Sequence, residues 1–348
     1  MIRNRARERR PLRAAVIGYG LSGRYFHAPF IRSCKDFDLT AVVTSSADRA
    51  AMVRSDNGAI AVHESVDDLF LNSLTFDVVV IATNVDSHAS LAHRAIHAGK
   101  HVIIDKPFTL TARDAQRLGY SAMRAGVLIS AYQNRRWDAD FLALQKVISE
   151  GLLGAVLRFE SSFEWFSSDM SDKWRDVAPP AQGGGLLYEL GPHLIDQAIH
   201  LFGPVLSVHM ELDTRRPAAI ADDDTFLALR HAENVSSRLW MSQVSRSTRP
   251  RLRVEGARGV FTSYGLDPQE TQLLDGMTPL DPLFGSRERW HGRVLTDDGE
   301  TEIDFKPESY GRFYELFGRA VRGHGLPPVS IADTIEVMRI VERGRTHR

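Results

Sequence analysis

Cysteine is nearly missing from this chain, with Cys34 the only one in 348 residues. No internal disulfide can form and no Cys/His cluster has zinc-ligand spacing, which fits a reducing cytoplasm. An excess of either charge is also lacking: 43 Lys and Arg stand against 44 Asp and Glu, for a net charge of -1. Nucleic acid is therefore not an expected partner. The apolar runs, such as Val78 to Ala82 and Val102 to Ile104, are strand-sized, far below the roughly 20 residues a bilayer crossing needs. No membrane partner is expected. The opening MIRNRARERR carries five arginines without an apolar run behind them, so residues 1–10 read as a solvated basic tail rather than a secretory signal. Asp222, Asp223 and Asp224 resemble a metal cluster at first glance. Consecutive acids at a strand start cannot all face one ion, so a solvated turn and no metal site are expected.

What is present is enough apolar sequence for more than one core. With 43% hydrophobic residues over 348 positions, two domains are the default expectation. Over residues 11–131, strand-like runs at Leu12 to Ile17, Leu39 to Val43, Asp77 to Ala82, His101 to Ile104 and Val127 to Ala131 alternate with helical patterns. That rhythm predicts an α/β domain with a parallel, doubly wound sheet. Ser46 or Asp48 is placed to cap a helix over 47–55, and Asp86 one that ends at Gly99. Over residues 132–348 the rhythm changes. A helix near Phe141 to Ser149 is followed by strand-like runs at Ala155 to Glu164, Val205 to Leu212, Phe226 to His231, Ser236 to Gln243, Arg251 to Glu255 and Gly259 to Ser263. Strands that follow strands predict an α+β domain with a large, mostly antiparallel open sheet, and helices near Tyr310 to Arg322 and Ile331 to Arg343 finish it.

Gly18, Gly20 and Gly23 fit G-x-G-x-x-G directly after the first strand and before a helical pattern, the context that makes this motif a dinucleotide site. Gly18 permits the tight turn, Gly20 lets the backbone approach a pyrophosphate, and Gly23 lets helix and strand pack. Tyr19, Leu21 and Ser22 complete the loop. Six residues past Gly23 stands Pro29, which lacks the N–H that would bond Tyr25, so a kinked phosphate helix is expected. The end of the second strand distinguishes the dinucleotides. NAD sites usually place Asp or Glu there, but VVTSSADR has none at Thr44, Ser45 or Ser46. The hydroxyls of Ser45 and Ser46 and the guanidinium of Arg49 suit a 2′-phosphate, so NADP is favoured. Asp48 keeps NAD as the alternative.

HVIIDKPF at 101–108, NRRWD at 134–138 and GGGLLYELGPHLIDQAIHLFG at 183–203 resemble signatures of the Gfo/Idh/MocA oxidoreductases. The similarity runs from about Leu12 to about Arg343. FHAP after the glycines, NRRWD and the late stretch RLRVEGARGVFTSYGLDPQE are most similar to the NADP-dependent scyllo-inositol dehydrogenase branch of that family. The resemblance implies a Rossmann domain followed by an open sheet whose exposed face forms a homodimer or a dimer of dimers. It also implies hydride transfer between nicotinamide and a secondary alcohol or ketone of a cyclic polyol or sugar. Two rival readings with the same fold are a cofactor-sensing binding protein without turnover and a redox-assisted glycosidase that retains its cofactor.

Lys106 lies straight after a strand, at the sheet end where nucleotide folds place their chemistry. In the family the lysine of Glu-Lys-Pro reaches the nicotinamide and the reacting hydroxyl; here Asp105 replaces the glutamate, and a cis peptide before Pro107 is implied. On the helix holding His193, Glu189, His193 and Asp196 stand at i, i+4 and i+7, on one face. Pro192 confines that helix to a start close to Glu189. His193 is the expected proton acceptor, its other nitrogen oriented by a carboxylate, with Glu189 as the candidate and Asp196 near the substrate. Thr83, Asn84 and His88 border the cofactor cleft, though each could be a cap or turn residue. Asn134 is placed to hold the carboxamide and Trp137 to cover a polyol ring. Trp174 and Arg175 form a pair that, in family members, contacts cofactor or substrate.

Overall fold

The computed structural model describes residues 10–170 and 174–346. Residues 1–9 of the expected tail lie outside that range. Arg10, its last member, is instead held by Asp77 through two 2.9 Å bonds.

Six short runs rich in Val, Ile and Ala form one sheet: β1 (Leu12–Ile17), β2 (Phe37–Val43), β3 (Ala61–His63), β4 (Val78–Ile81), β5 (His101–Ile104) and β6 (Ile129–Ala131). Every pairing is parallel, in the order β3-β2-β1-β4-β5-β6. That is the doubly wound Rossmann arrangement, and its strand order reverses between β1 and β4. A ligand crevice belongs at that reversal, outside the carboxyl ends of the strands. Gly18 follows β1 there, Thr83 follows β4, and Lys106 follows β5.

The kink expected at Pro29 takes a definite form. Ser22–His27 is a turn of π-helix in which the Ala28 N–H reaches the Gly23 carbonyl five residues back, and the α-helix Ala28–Ser33 begins afresh with Pro29 in its first turn. The wider turn absorbs the hydrogen bond that proline cannot make. His27, at this junction, is fully buried; its Nδ1 lies 2.6 Å from the Tyr314 hydroxyl and its ring 4.4 Å from that of Tyr132. Burial pulls its proton affinity down to about 4.

Eight strands build the second sheet: β7 (Val156–Glu164), β8 (Val205–Asp213), β9 (Asp224–His231), β10 (Ser236–Ser242), β11 (Leu252–Gly256), β12 (Gly259–Ser263), β13 (His291–Thr296) and β14 (Gly299–Asp304). Their order is β14-β13-β12-β11-β7-β10-β9-β8, antiparallel except where β7 meets β10. Alternation sets the two faces. Leu227, Leu229, Leu239, Met241, Leu252 and Val254 point to the buried side, where the helix Gly191–Phe202 packs on β7 and β10. The opposite side carries Phe226 against Trp240, ring centroids 5.3 Å apart, and a run of ion pairs in which Glu160 meets Arg158 at 3.0 Å and Arg253 at 3.4 Å.

Some boundaries differ from expectation for physical reasons. β3 has three residues and no full alternation, and β14 is nearly all exposed, so neither shows a strand pattern. The β13–β14 hairpin is nevertheless signalled by Asp297-Asp298-Gly299, with Gly299 at φ 123°. Asp86 does not cap its helix: Asn84 is the cap position of Val85–His97, without a side-chain bond. The acids 222–224 are not a solvated turn. Asp222 accepts from the Leu187 N–H at 2.7 Å and Thr225 Oγ1 at 2.6 Å, while Asp223 receives Arg216 Nε at 2.9 Å. Among the described residues there is no metal-binding cluster, and no helix is long and apolar enough to cross a membrane.

Candidate active site

The glycine loop fits its proposed ligand sterically. A Cβ on Gly18 would lie 2.4 Å from the Ala82 carbonyl oxygen, and one on Gly23 would lie 2.1 Å from that of Gly18, so β1, β4 and the π-turn can approach only through glycines. Gly18 also has φ +99°, a backbone region that strains other residues. A Cβ on Gly20 would meet nothing within 4 Å, so it would fill open space over the loop. This is the cradle a pyrophosphate requires. Leu21 is exposed and Ser22 opens the π-turn beside it. Tyr19 differs from its neighbours: its side chain is buried, its hydroxyl donates to Asp56 at 3.1 Å and accepts from Asn57 at 2.7 Å, and burial pushes it up to about 12. Only its backbone is left to border the crevice.

At the end of β2, Ser45 and Arg49 are exposed and Thr44 is buried. Ser46 caps the helix Ala47–Asn57, its Oγ accepting from the Arg49 N–H at 3.3 Å, and its own hydroxyl proton is free to donate. The Arg49 guanidinium has no partner among the described residues.

Lys106 and Glu189 meet across the junction of the two sheets. Lys106 follows β5 through a cis peptide to Pro107, and its backbone N–H donates to Asp105 at 2.8 Å. Its Nζ donates to the Glu189 carbonyl at 2.8 Å and lies 3.6 Å from the Glu189 carboxylate. An ammonium carries three donors, so others stay available toward the crevice.

The helix holding His193 is divided. Leu186–Glu189 forms one short turn, and Gly191–Phe202 starts anew with Pro192 at its beginning, where a missing N–H costs nothing. Glu189 and His193 therefore do not share one helix face. Glu189 serves the lysine, and no carboxylate among the described residues orients His193. The partner of His193 Nδ1 is the amide oxygen of Gln133, 3.1 Å away at the end of β6, a residue that sequence reasoning passed over. Its signal was slight: a glutamine between a buried strand and NRRWD, with no motif to mark it. His193 is 4% exposed, and burial, reinforced by Lys106, Arg135 and Arg251, holds its proton affinity well below the ordinary range. Its surroundings favour the neutral ring, which can accept a proton.

Several expected contacts lie elsewhere. Asp196 does not face the crevice; it is 1% exposed and takes two 2.7 Å bonds from Arg136. His88 is a fastener, 1% exposed, with its ring nitrogens 3.0 Å from the carbonyls of Pro107 and Thr83, one of which accepts from the single N–H of the neutral ring. It thereby ties the ends of β4 and β5 together. Trp137 packs edge-on against Phe313 at 5.9 Å in the interior rather than over a ligand ring. Asn134 is buried in the turn after β6, whereas Thr83 borders the glycine loop, with its Cγ2 close to Gly18, and Asn84 is exposed at the start of Val85–His97. Trp174 and Arg175 open the helix Trp174–Val177, but their side chains lie outside the described residues.

The glycine run that follows this helix and leads into Leu186–Glu189 is fixed by contact. A Cβ on Gly184 would sit 1.8 Å from the Ala178 carbonyl and one on Gly185 2.0 Å from the Asp222 carboxylate. Gly185→Ala is expected to displace Asp222 from the Leu187 N–H and cost about 2–4 kcal/mol, measured as a lower denaturation midpoint.

A doubly wound domain with a glycine cradle, joined to a second sheet whose packed helix brings a histidine toward a strand-end lysine, defines a nucleotide-dependent oxidoreductase. Residues 12–133 match the oxidoreductase family with an NAD-binding Rossmann fold, and residues 141–262 match the GFO/IDH/MocA C-terminal domain. The Escherichia coli oxidoreductase YdgJ is 37% identical over 96% of this chain and 95% of its own. The Bacillus subtilis scyllo-inositol 2-dehydrogenase (NADP(+)) IolW is 32% identical over 95% of this chain and 92% of its own. Among solved structures, an oxidoreductase from Yersinia pestis superposes with TM-score 0.90 at 34% identity, covering 97% of this chain and 95% of that one. This chain belongs to the Gfo/Idh/MocA family of oxidoreductases.

Proposed function

We propose that this protein is an NADP-dependent dehydrogenase acting on a secondary alcohol, or the corresponding ketone, of a cyclic polyol or sugar. The observation that carries the reading is the pair the fold holds in place: Lys106 Nζ fixed on the Glu189 carbonyl at 2.8 Å and His193 fixed on Gln133 at 3.1 Å, with burial and then Lys106 favouring the neutral His193 ring. In alcohol oxidation, Lys106 donates a hydrogen bond to the substrate oxygen, and His193 Nε2 accepts the hydroxyl proton. When bound, the nicotinamide supplies or takes the hydride. Glu189 orients the lysine through its carbonyl and offsets its charge. The fit of the glycine cradle and the kinship with an NADP-linked inositol dehydrogenase support the cofactor and substrate class. Nicotinamide absorbance followed over a panel of inositols and aldoses tests it; no turnover of any of them with either cofactor would refute it.

The cofactor preference rests on Ser45, Ser46 and Arg49. A guanidinium meeting a 2′-phosphate at an exposed site contributes on the order of 1 to 3 kcal/mol, about one to two decades in affinity. Arg49→Ala is expected to weaken NADPH by about that factor and leave NADH nearly unchanged, read as dissociation constants from nicotinamide fluorescence. Equal or tighter NADH binding by the unaltered protein would turn attention to Asp48. The assembly we propose is a homodimer through the open face of the eight-stranded sheet, supported by the half-covered Phe226 and Trp240 there. A monomeric mass by sedimentation at micromolar concentration would contradict it.

A further inference from the structure

We propose that Gln133 is a positioning residue that locks His193 in the tautomer with Nδ1 protonated and Nε2 free. The inference rests on the proposed role of His193 as proton acceptor, and it identifies what sets the geometry of that acceptor.

The argument is one of hydrogen-bond polarity. A backbone carbonyl only accepts, so the contact of 3.2 Å from Gln133 Nε2 to the Pro192 carbonyl requires the NH2 group of the amide on that side. The amide oxygen is then directed at His193 Nδ1, 3.1 Å away. An oxygen there accepts, so Nδ1 must carry the proton. Rotating the amide would set oxygen against the Pro192 carbonyl and NH2 against Nδ1, losing one bond and reversing the other. Pro192 thus determines the amide, and the amide determines the ring. Gln133 is 4% exposed and His193 also 4%, so water does not compete freely for either partner.

The lock also joins the two halves of the site. Gln133 stands just beyond the last strand of the nucleotide sheet, while Pro192 and His193 open the helix that packs under the second sheet. An uncharged amide suits this place. The charged groups acting on His193, namely Lys106, Arg135 and Arg251, are all cations that favour the neutral ring. The amide orients that ring without adding the negative charge that would favour imidazolium. In a site of this kind the wrong tautomer offers N–H where a base is needed, a loss that elsewhere reaches orders of magnitude in rate.

The test reads the ring directly. In protein labelled with ¹⁵N-histidine at pH 7.5, the His193 signals, identified by their loss in His193→Gln, should show a protonated Nδ1 and an unprotonated Nε2. Gln133→Met keeps the length but removes both bonds. It should release the ring toward the Nε2-protonated form and lower kcat about 10- to 100-fold with KM within about threefold. A protonated Nε2 in the unaltered protein would overturn the proposal, as would a Gln133→Met variant with the same tautomer and the same kcat. If no polyol is turned over by any form, the dehydrogenase reading fails, while the substrate-free spectra still decide whether Gln133 holds the ring.

Discussion

Replacing Lys106 with alanine is expected to lower kcat by about two to four orders of magnitude, the range for losing a group that assists proton transfer. Cofactor affinity should stay within about tenfold, because in the proposed function the phosphates would be held by the glycine cradle and the β2 end rather than by Lys106. Stability should change little. The Lys106–Glu189 pair is partly exposed, 20% and 17% at its side chains, and pairs of that kind contribute up to about 1 kcal/mol. The substitution also predicts a shift in pH dependence whose sign follows from charge. Lys106 is one of the cations that hold the His193 proton affinity down, so its removal lets that affinity rise. His193 then becomes protonated at a higher pH, and the acid limb of the residual kcat/KM for alcohol oxidation should move upward relative to the unaltered protein. Lys106→Arg should not restore the rate, because a planar fork cannot take the place of a compact ammonium that also reaches the Glu189 carbonyl. An alanine variant with kcat unchanged would remove Lys106 from the mechanism.

The second large effect concerns Asp196, whose motif position suggests the substrate but whose contacts are internal. Asp196→Ala is expected to destabilise the protein by about 3–5 kcal/mol, since it leaves the guanidinium of Arg136 buried without its principal counter-charge. Arg136 is 5% exposed and gives both of its short bonds to Asp196; its remaining contacts, the Pro328 carbonyl at 3.2 Å and Asp333 at 3.3 Å, are longer. Asp196→Ala combined with Arg136→Leu should recover part of the loss, because an apolar pair removes the stranded charge. Chemical denaturation of the two variants measures this. An Asp196→Ala protein with an unchanged midpoint and a raised KM would return Asp196 to the substrate.

Much of the molecule was readable along the chain. Strands β1 and β5 appear with their expected ends, because each is an apolar run followed at once by a motif, GYG or DKP, that stops it. Pro192 marked the break before the His193 helix through its missing N–H, and Pro29 marked the π-turn for the same reason. The nucleotide sheet, the antiparallel second sheet, the glycine loop and the family signatures are features of spacing and composition, carried by short contiguous runs.

What the chain could not disclose was pairing across distance. Glu189 and His193 looked like partners at four residues' spacing, yet the carboxylate lies beside Lys106, 83 positions away, and the ring meets Gln133, 60 positions away. Asp222 looked solvated until Leu187 N–H and Thr225 covered it, and His88 looked available until the fold buried its ring between two carbonyls. The sequence alone determined which backbone turns could form and which residue types stood at the strand ends, since sterics and periodicity act between neighbours. Only the tertiary structure decided which polar groups those residues met. A buried donor or acceptor must be satisfied by whatever the packed chain brings within about 3 Å, and that depends on how the two sheets are joined.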